Sequence, residues 1–196
     1  LGGYALALQR LGRWKEAEPL LAERLRATKE RLGERHPDAL DSLHDYAGIA
    51  LALGDSHRAM FSYAKAHRLR SEVLGEHHPD ALDSFSALVP AIAKVGAIKN
   101  ARAFSKQALE LSRETLGDRH PQTLVSLTNR ADLLMALGRR LEAEPLYEEA
   151  LRFRREVLGE RHPSTLMSQS KYGRVIHLLG DALAAEPILE EASRLL

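Results

Sequence analysis

Apolar residues recur along this chain every three or four positions, which is the spacing of one face of an α-helix. One such stripe follows a His-Pro pair and precedes a glycine, and it consists of Leu40, Leu43, Ala47, Ala50 and Leu53. A second stripe follows that glycine and consists of Ala59, Tyr63, Ala66, Leu69 and Val73. The pattern predicts two consecutive helices, at about 36–53 and 55–74, each of which ends at a glycine.

The two-helix pattern returns at a fixed interval of 42 residues. The phrase LGERHPDAL begins at Leu32, and close copies of it begin at Leu74, Leu116 and Leu158. An alanine keeps the same register in five places, at Ala17, Ala59, Ala101, Ala143 and Ala185. A period of this length indicates a repeat protein, in which each helix pair buries its apolar face against the next pair. We therefore predict an all-α fold, an α-solenoid of antiparallel helix pairs, that forms a single domain over residues 1–196. Its units are 1–33, 36–75, 78–117, 120–159 and 162–196.

The two ends of the repeat differ from its interior. The unit that begins at Leu1 is shortened, and the unit that stops at Leu196 has no polar helix after it. Because an end repeat without a polar cap exposes apolar surface, we expect the sequence to be a fragment of a longer chain. Self-association through the uncapped ends is kept as an alternative role.

A histidine precedes proline in every copy of the repeated phrase, at His36, His78, His120 and His162. Proline suits the first position of a helix, where its missing N–H costs nothing. A zinc site would need its ligand nitrogens about 2 Å from one ion. Equivalent positions on packed helices lie roughly 10 Å apart. We therefore predict that these histidines mark helix starts and hold no metal.

Charge and composition argue against several classes of function. The 28 basic and 27 acidic residues give a net charge of +1, without the basic excess of a general nucleic-acid binder. No apolar run approaches the roughly 20 residues of a membrane span. The chain has no cysteine, which excludes thiol chemistry and fits a cytoplasmic location. We find no phosphate-binding glycine loop and no zinc-protease helix, so we expect no enzyme, no catalytic residue and no cofactor.

One unit carries Tyr46-Ala47, Gly54, Ala59, Tyr63 and Ala66 at the positions of a known helix-pair signature. In these residues the chain resembles the tetratricopeptide repeat family. Its period of 42 exceeds the 34 typical of that family, and with the join LG-x-x-HP it resembles the kinesin-light-chain type, which is also found in bacterial regulatory proteins. The resemblance implies a right-handed superhelix whose first helices line a concave groove for a peptide or a helix of a partner protein.

The first helix of each unit varies on one face between the repeats, and that face is the expected groove. Its candidate partner-binding residues are Asp41, His44, Asp45, Asp83, Ser86, Thr128, Asn129, Asp132, Met135, Lys171, Arg174 and His177. Acidic residues dominate the earlier units and basic residues the last, so we hypothesise that an acidic part of a partner lies near Lys171 and Arg174.

These features favour a scaffold or sensor arm of a larger bacterial signalling protein. One alternative is a regulatory module that packs against other domains of its own chain. Another is an RNA-binding helical repeat that uses basic residues expected on the convex side, at Arg68, Arg70, Arg152, Arg154 and Arg155.

Overall fold

The computed structural model describes residues 2–195, and those residues form α-helices joined by short turns. The helices are α1 (Gly2–Arg10), α2 (Trp14–Leu32), α3 (Pro37–Ala52), α4 (Ser56–Leu74), α5 (Pro79–Val95), α6 (Ile98–Leu116), α7 (Pro121–Ala136), α8 (Arg140–Leu158), α9 (Pro163–Leu179) and α10 (Ala182–Leu195). Over the described part of the chain there is no β-strand. The predicted all-α class is confirmed.

The chain divides into two compact units, residues 1–104 and residues 105–196, and the boundary falls within α6. In the first unit each helix from α1 to α5 packs against the next one. In the second unit α7, α8, α9 and α10 pack in the same sequential order. Consecutive helices joined by short turns run antiparallel, so the predicted α-solenoid of helix pairs is confirmed. The assignment of the whole chain to a single domain with the stated repeat boundaries stays a prediction.

The five alanines that share one register are fully buried between helices. Ala17, Ala59, Ala101, Ala143 and Ala185 each expose 0% of their surface. A larger side chain at such a position is expected to overpack the contact between helices, which explains why the repeat has alanine there. The stripe on α4 is otherwise buried as predicted, but Val73 in its last turn is 42% exposed.

The repeated His-Pro phrase forms the beginning of every first helix from α3 onward. In all four copies the histidine is the N-cap residue, and the proline occupies the first helical turn. The imidazole Nδ1 accepts a hydrogen bond from the backbone N–H two residues later, at 3.2 Å in each case. This bond satisfies one of the N–H groups that a helix start leaves without a partner. The predicted structural role of these histidines is confirmed.

Candidate functional site

In the first unit, the predicted groove residues surround a buried arginine, Arg70, of helix α4. Its guanidinium Nη2 lies 2.5 Å from Asp41 Oδ1, and its Nη1 donates to Ser84 Oγ at 2.7 Å. Arg70 exposes only 4% of its surface, and a charge at that depth needs a carboxylate and hydrogen bonds to offset lost hydration. The candidate Asp41 is therefore committed to an internal ion pair.

Two further candidates of the first unit, His44 and Asp83, belong to the same network. His44 Nδ1 lies 3.2 Å from Ser84 Oγ, and its Nε2 lies 3.2 Å from Asp83 Oδ2. Burial lowers the pKa of His44 and nearby Arg70 lowers it further, whereas Asp83 opposes this shift. The contacts fit a neutral imidazole that donates from Nε2 to Asp83 and accepts from Ser84 at Nδ1.

The order Ser84, His44, Asp83 resembles the hydrogen-bond chain of a serine hydrolase. Ser84, however, exposes 0% of its surface. Its hydroxyl also accepts the hydrogen bond from Arg70. A nucleophile must reach its substrate, so this chain of contacts is structural.

The remaining candidates of the first unit differ in accessibility. Asp45 is partly exposed and accepts a hydrogen bond from Arg24 Nη1 at 2.7 Å. Ser86 exposes 0% of its surface and faces the interior. The acidic residues predicted for the groove are thus paired with basic side chains of their own unit, and Ser86 is not at the surface.

In the second unit, the candidates Asp132 and Lys171 form one cluster with a tyrosine. Lys171 Nζ lies 2.6 Å from Asp132 Oδ2, and Tyr147 Oη donates to Asp132 Oδ1 at 2.5 Å. Burial and the neighbouring Asp132 carboxylate both raise the pKa of Tyr147. The phenol therefore stays protonated and holds the carboxylate in place between α7, α8 and α9.

This cluster forms part of the wall of a cleft in the second unit, which we call the basic cleft. The cleft has a volume of about 410 Å³, within the size range of pockets that hold ligands. Its lining residues are Asp132, Met135, Ala136, Arg140, Tyr147, Lys171, Arg174 and Leu178. The structure therefore brings together four candidates, which are Asp132, Met135, Lys171 and Arg174.

Four further residues line the cleft without having been predicted from the sequence, which are Ala136, Arg140, Tyr147 and Leu178. Arg140 and Tyr147 belong to α8, a second helix of its unit, and the resemblance directed attention to first helices only. Tyr147 stands two repeat periods after the signature residue Tyr63, but its hydroxyl contact with Asp132 depends on the packing of α8 against α7.

Three candidates of the second unit lie outside the basic cleft lining. Thr128 accepts a hydrogen bond from Arg154 Nη1 at 3.0 Å. Asn129 is partly buried on α7, and His177 is exposed in the last turn of α9. Asn129 and His177 therefore do not line a pocket with Lys171 and Arg174, whereas Thr128 lines a separate, smaller pocket together with Lys171.

The basic residues expected on the convex side do not form one exposed cluster. Arg70 is buried against α3 and α5, and Arg154 reaches between Thr128 of α7 and Ser168 of α9. Arg68 pairs with Glu72 at 3.0 Å. The expectation of a common convex patch was wrong for Arg70 and Arg154, because their positions on α4 and α8 point toward the neighbouring first helices.

Within residues 2–195 no group of three or more His, Cys, Asp or Glu side chains is arranged to hold a metal ion. The helices of the described chain are too short or too polar to cross a bilayer.

Comparison with known proteins identifies a family. One sequence profile described as tetratricopeptide repeat matches residues 1–72 and 124–196, and a second profile of that description matches residues 93–122. No curated protein sequence matches the chain.

Solved structures also resemble the chain. One contains nearly identical TPR-like repeats of a protein described as a Podosopora anserina kinesin light chain. It is 27% identical over 98% of this chain and 92% of that one, with a TM-score of 0.70, and a variant of it gives 0.72. Another is BtubC (BKLC) from P. vanneervenii, which is 21% identical over 97% of this chain and 76% of that one, with a TM-score of 0.73.

Proposed function

Because this chain belongs to the tetratricopeptide repeat family, whose members generally mediate protein–protein interaction, we propose that it binds a partner protein through the basic cleft. The occupant is an acidic segment of that partner. The observation that carries this proposal is the excess of positive charge in the cleft.

The excess arises because only one of the three basic side chains is neutralised. Lys171 pairs with Asp132, which is the single carboxylate of the lining. Considering residues 2–195 alone, no carboxylate oxygen lies within 4 Å of Arg140 or Arg174. Among the described residues, Arg140 donates to the backbone oxygen of Leu178 alone, at 3.3 Å. Two exposed guanidiniums thus remain for carboxylates of a ligand, which they can bind with two hydrogen bonds each.

The apolar part of the lining adds a second requirement. Met135 and Leu178 present apolar surface beside the guanidiniums, and the buried Tyr147 forms part of the wall behind them. Ligand sites combine such surface with a few fixed polar groups, which set orientation and specificity. An acidic peptide that also carries an apolar side chain fits the cleft better than a chain of acidic residues alone.

We propose further that the chain is the scaffold or sensor arm of a larger bacterial signalling protein. This part of the proposal rests on the type of repeat. The alternative, a regulatory module that packs against other domains of its own chain, uses the same cleft with an acidic segment in cis.

The test is a capture experiment from a lysate of the source organism with three forms of the protein. One is the wild type, and one carries Arg140→Glu and Arg174→Glu, which break no ion pair within the described chain. Lys171 is left unchanged because its loss would free Asp132. The control carries Arg161→Glu and Arg194→Glu, which change the net charge equally at exposed positions of the same unit.

We expect a protein with an acidic segment to be retained by the wild type and the control. The cleft variant should bind it at least about tenfold more weakly in a titration with the purified partner, since reversing two charges removes attraction and adds repulsion. Equal affinity for all three forms would place the interface elsewhere. Retention of no protein by any form would favour the alternative in cis.

A further inference from the structure

Arg154 of helix α8 occupies the position that Arg70 has in the first unit, 84 residues earlier, which is two repeat periods. The surroundings of the two arginines correspond residue by residue. Arg70 Nη1 contacts His44 and Ser84, and Arg154 Nη1 contacts the equivalent residues Thr128 and Ser168. The chain therefore contains two copies of one arginine site, and they can be compared directly.

The two copies differ in their acidic partners. Arg70 is neutralised by Asp41, with Asp83 close by on His44. The residues equivalent to Asp41 and Asp83 are Val125 and Met167. Throughout the described chain, residues 2–195, no carboxylate lies within ion-pair distance of Arg154. The second copy contains the arginine but neither of the two carboxylates.

The guanidinium of Arg154 is only partly satisfied by the protein. It donates to Thr128 Oγ1 at 3.0 Å, to Leu124 O at 3.0 Å and to Ser168 Oγ. A guanidinium has five N–H donors, so two of them have no acceptor in the part of the chain that the structure describes. Burial lowers the pKa of Arg154, and Asp132 compensates this from a distance. A partly buried cation of this kind gains more from an added carboxylate than an exposed one does.

Two adjoining pockets meet at this side chain. One is lined by Thr128, Ser164, Met167, Ser168 and Lys171, and the other by Pro121, Leu124, Val125, Val157, Leu158, His162 and Ser164, with Arg154 common to both. The rim is apolar and accessible. Met167 is 57% exposed, Val157 46%, and Val125 and Leu158 39% each.

We propose that Arg154 and this apolar rim form a second binding subsite, which takes an Asp or Glu side chain of a partner protein flanked by an aliphatic residue. The ligand carboxylate occupies the place that Asp41 fills at Arg70. The aliphatic neighbour packs on Val125, Val157 and Leu158. This proposal rests on the proposed function, because it assumes that the chain binds a protein. It concerns different residues, since Lys171 alone lines both the basic cleft and the pockets at Arg154.

The occupant follows from charge and from the internal copy of the site. At the equivalent site, the carboxylate of Asp41 contacts Arg70 with an Nη2–Oδ1 distance of 2.5 Å. A side-chain carboxylate therefore fits against an arginine in this position. A run of acidic residues would leave Val125 and Met167 against charged groups, whereas an aliphatic flank removes their exposed apolar surface from water.

The test uses the full chain and three pools of synthetic nonapeptides with random flanking residues. The first pool is capped at both ends and has a central aspartate, and the second is capped with a central asparagine. The third has a central asparagine and a free C-terminal carboxylate. Peptides retained on the immobilised protein are sequenced, and their binding is measured by titration with NMR detection of the Val125 and Met167 methyl groups.

Two substitutions at one exposed position provide the matched variants. Val125→Asp restores the carboxylate of the first copy and should occupy Arg154 internally. Val125→Asn has the same shape and no charge. The Arg140→Glu plus Arg174→Glu protein serves as a further control, because it alters the basic cleft and leaves Arg154 intact.

We expect enrichment of aliphatic residues beside the aspartate in the first pool, with at least about tenfold weaker binding of the asparagine analogues. Val125→Asp should abolish the preference for aspartate over asparagine. Val125→Asn removes part of the apolar surface and should weaken binding of the first two pools alike, so it should keep that preference. The cleft variant should keep both the preference and the enrichment of aliphatic residues. The proposal would be overturned by equal retention of the first two pools, or by enrichment in the third pool alone. It would also be overturned if both Val125 substitutions changed the preference for aspartate over asparagine to the same extent. The subsite and the proposed function can fail separately. If altering the basic cleft abolished lysate capture but the aspartate and asparagine peptides bound equally, the subsite would be refuted and the proposed function would stand.

Discussion

His44 lies at the centre of the polar network of the first unit, between a carboxylate and a buried cation. Its ring contacts Asp83 on one side and Ser84 on the other, and it stands edge-on to Tyr63 with ring centroids 5.0 Å apart. Contact with Asp83 alone would favour the imidazolium, but burial and Arg70 outweigh it. A single residue therefore couples the packing of α3, α4 and α5 to protonation.

The protonation of His44 predicts how stability depends on pH. Its pKa is lowered in the folded chain, so the unfolded chain binds the proton more readily, with an ordinary histidine pKa of about 6.5. Stability should therefore be fully present above that pH and should fall as the pH drops below it. The measurement is urea unfolding at pH 8, 6.5 and 5 for the wild type and His44→Gln.

The other histidines also titrate in this range, so the comparison between the two proteins isolates His44. We expect the wild type to lose more stability between pH 8 and pH 5 than His44→Gln does. Parallel losses in both proteins would show that the network accepts the imidazolium without cost.

At the scale of the helix, each repeat uses the same local devices to begin and end its elements. A histidine cap and a proline begin the first helix, and a glycine with positive φ follows the second. Gly75, for example, has a φ of 97°, where a residue with a side chain would be strained. These devices are local in sequence, and this is why helix positions were predictable to within one or two residues.

The cap can be tested at His120, which has a backbone contact with Gln122 N–H at 3.2 Å. His120→Ala should lower the free energy of unfolding by about 1 kcal/mol, within the range of about 0.5–2 kcal/mol measured for lost N-caps. His120→Asn should retain most of the stability, because asparagine is a good N-cap. Chemical denaturation of the three proteins provides the values.

A stability of His120→Ala equal to that of the wild type would contradict the cap. A loss of the same size in His120→Asn would instead indicate that the ring has a packing role, which an amide cannot replace.

At the scale of the whole molecule, the net charge is small, although the basic cleft has a local excess of positive charge. The chain carries a net charge of +1, so its overall field exerts little attraction on a distant acidic partner. Local excess is found where basic residues have no acidic partner in the described chain, as at Arg140 and Arg174 of the basic cleft. Attraction of a partner is therefore short in range.

This distribution predicts that partner binding depends on salt. Raising NaCl from about 50 mM to about 500 mM shortens the screening length from roughly 14 Å to roughly 4 Å. It should weaken binding of the captured partner, chiefly through slower association. The Arg140→Glu plus Arg174→Glu protein should show a flatter dependence in the same kinetic experiment. Wild-type binding that does not change with salt would indicate an apolar interface instead.

The sequence by itself determined the all-α class, the helix pairs and their boundaries, because these depend on periodic apolar positions and on caps that act within a few residues. It also determined which alanines are buried, since five copies in one register leave one consistent face. The four histidines were recognised as helix starts for the same reason.

Only the tertiary structure decided which of the varied polar residues are free for a partner. The sequence predicted an acidic groove at Asp41, Asp45 and Asp83. In the structure each of these carboxylates contacts a basic side chain more than 20 residues away. The sequence predicted Arg70 and Arg154 on the convex side, but their side chains lie between first helices. An ion pair between helices depends on their packing and on rotamers, and neither is encoded in the spacing along one helix. For the same reason, the sequence did not reveal that Arg154 has no acidic partner among the described residues. That difference became clear only when its contacts were compared with those of Arg70.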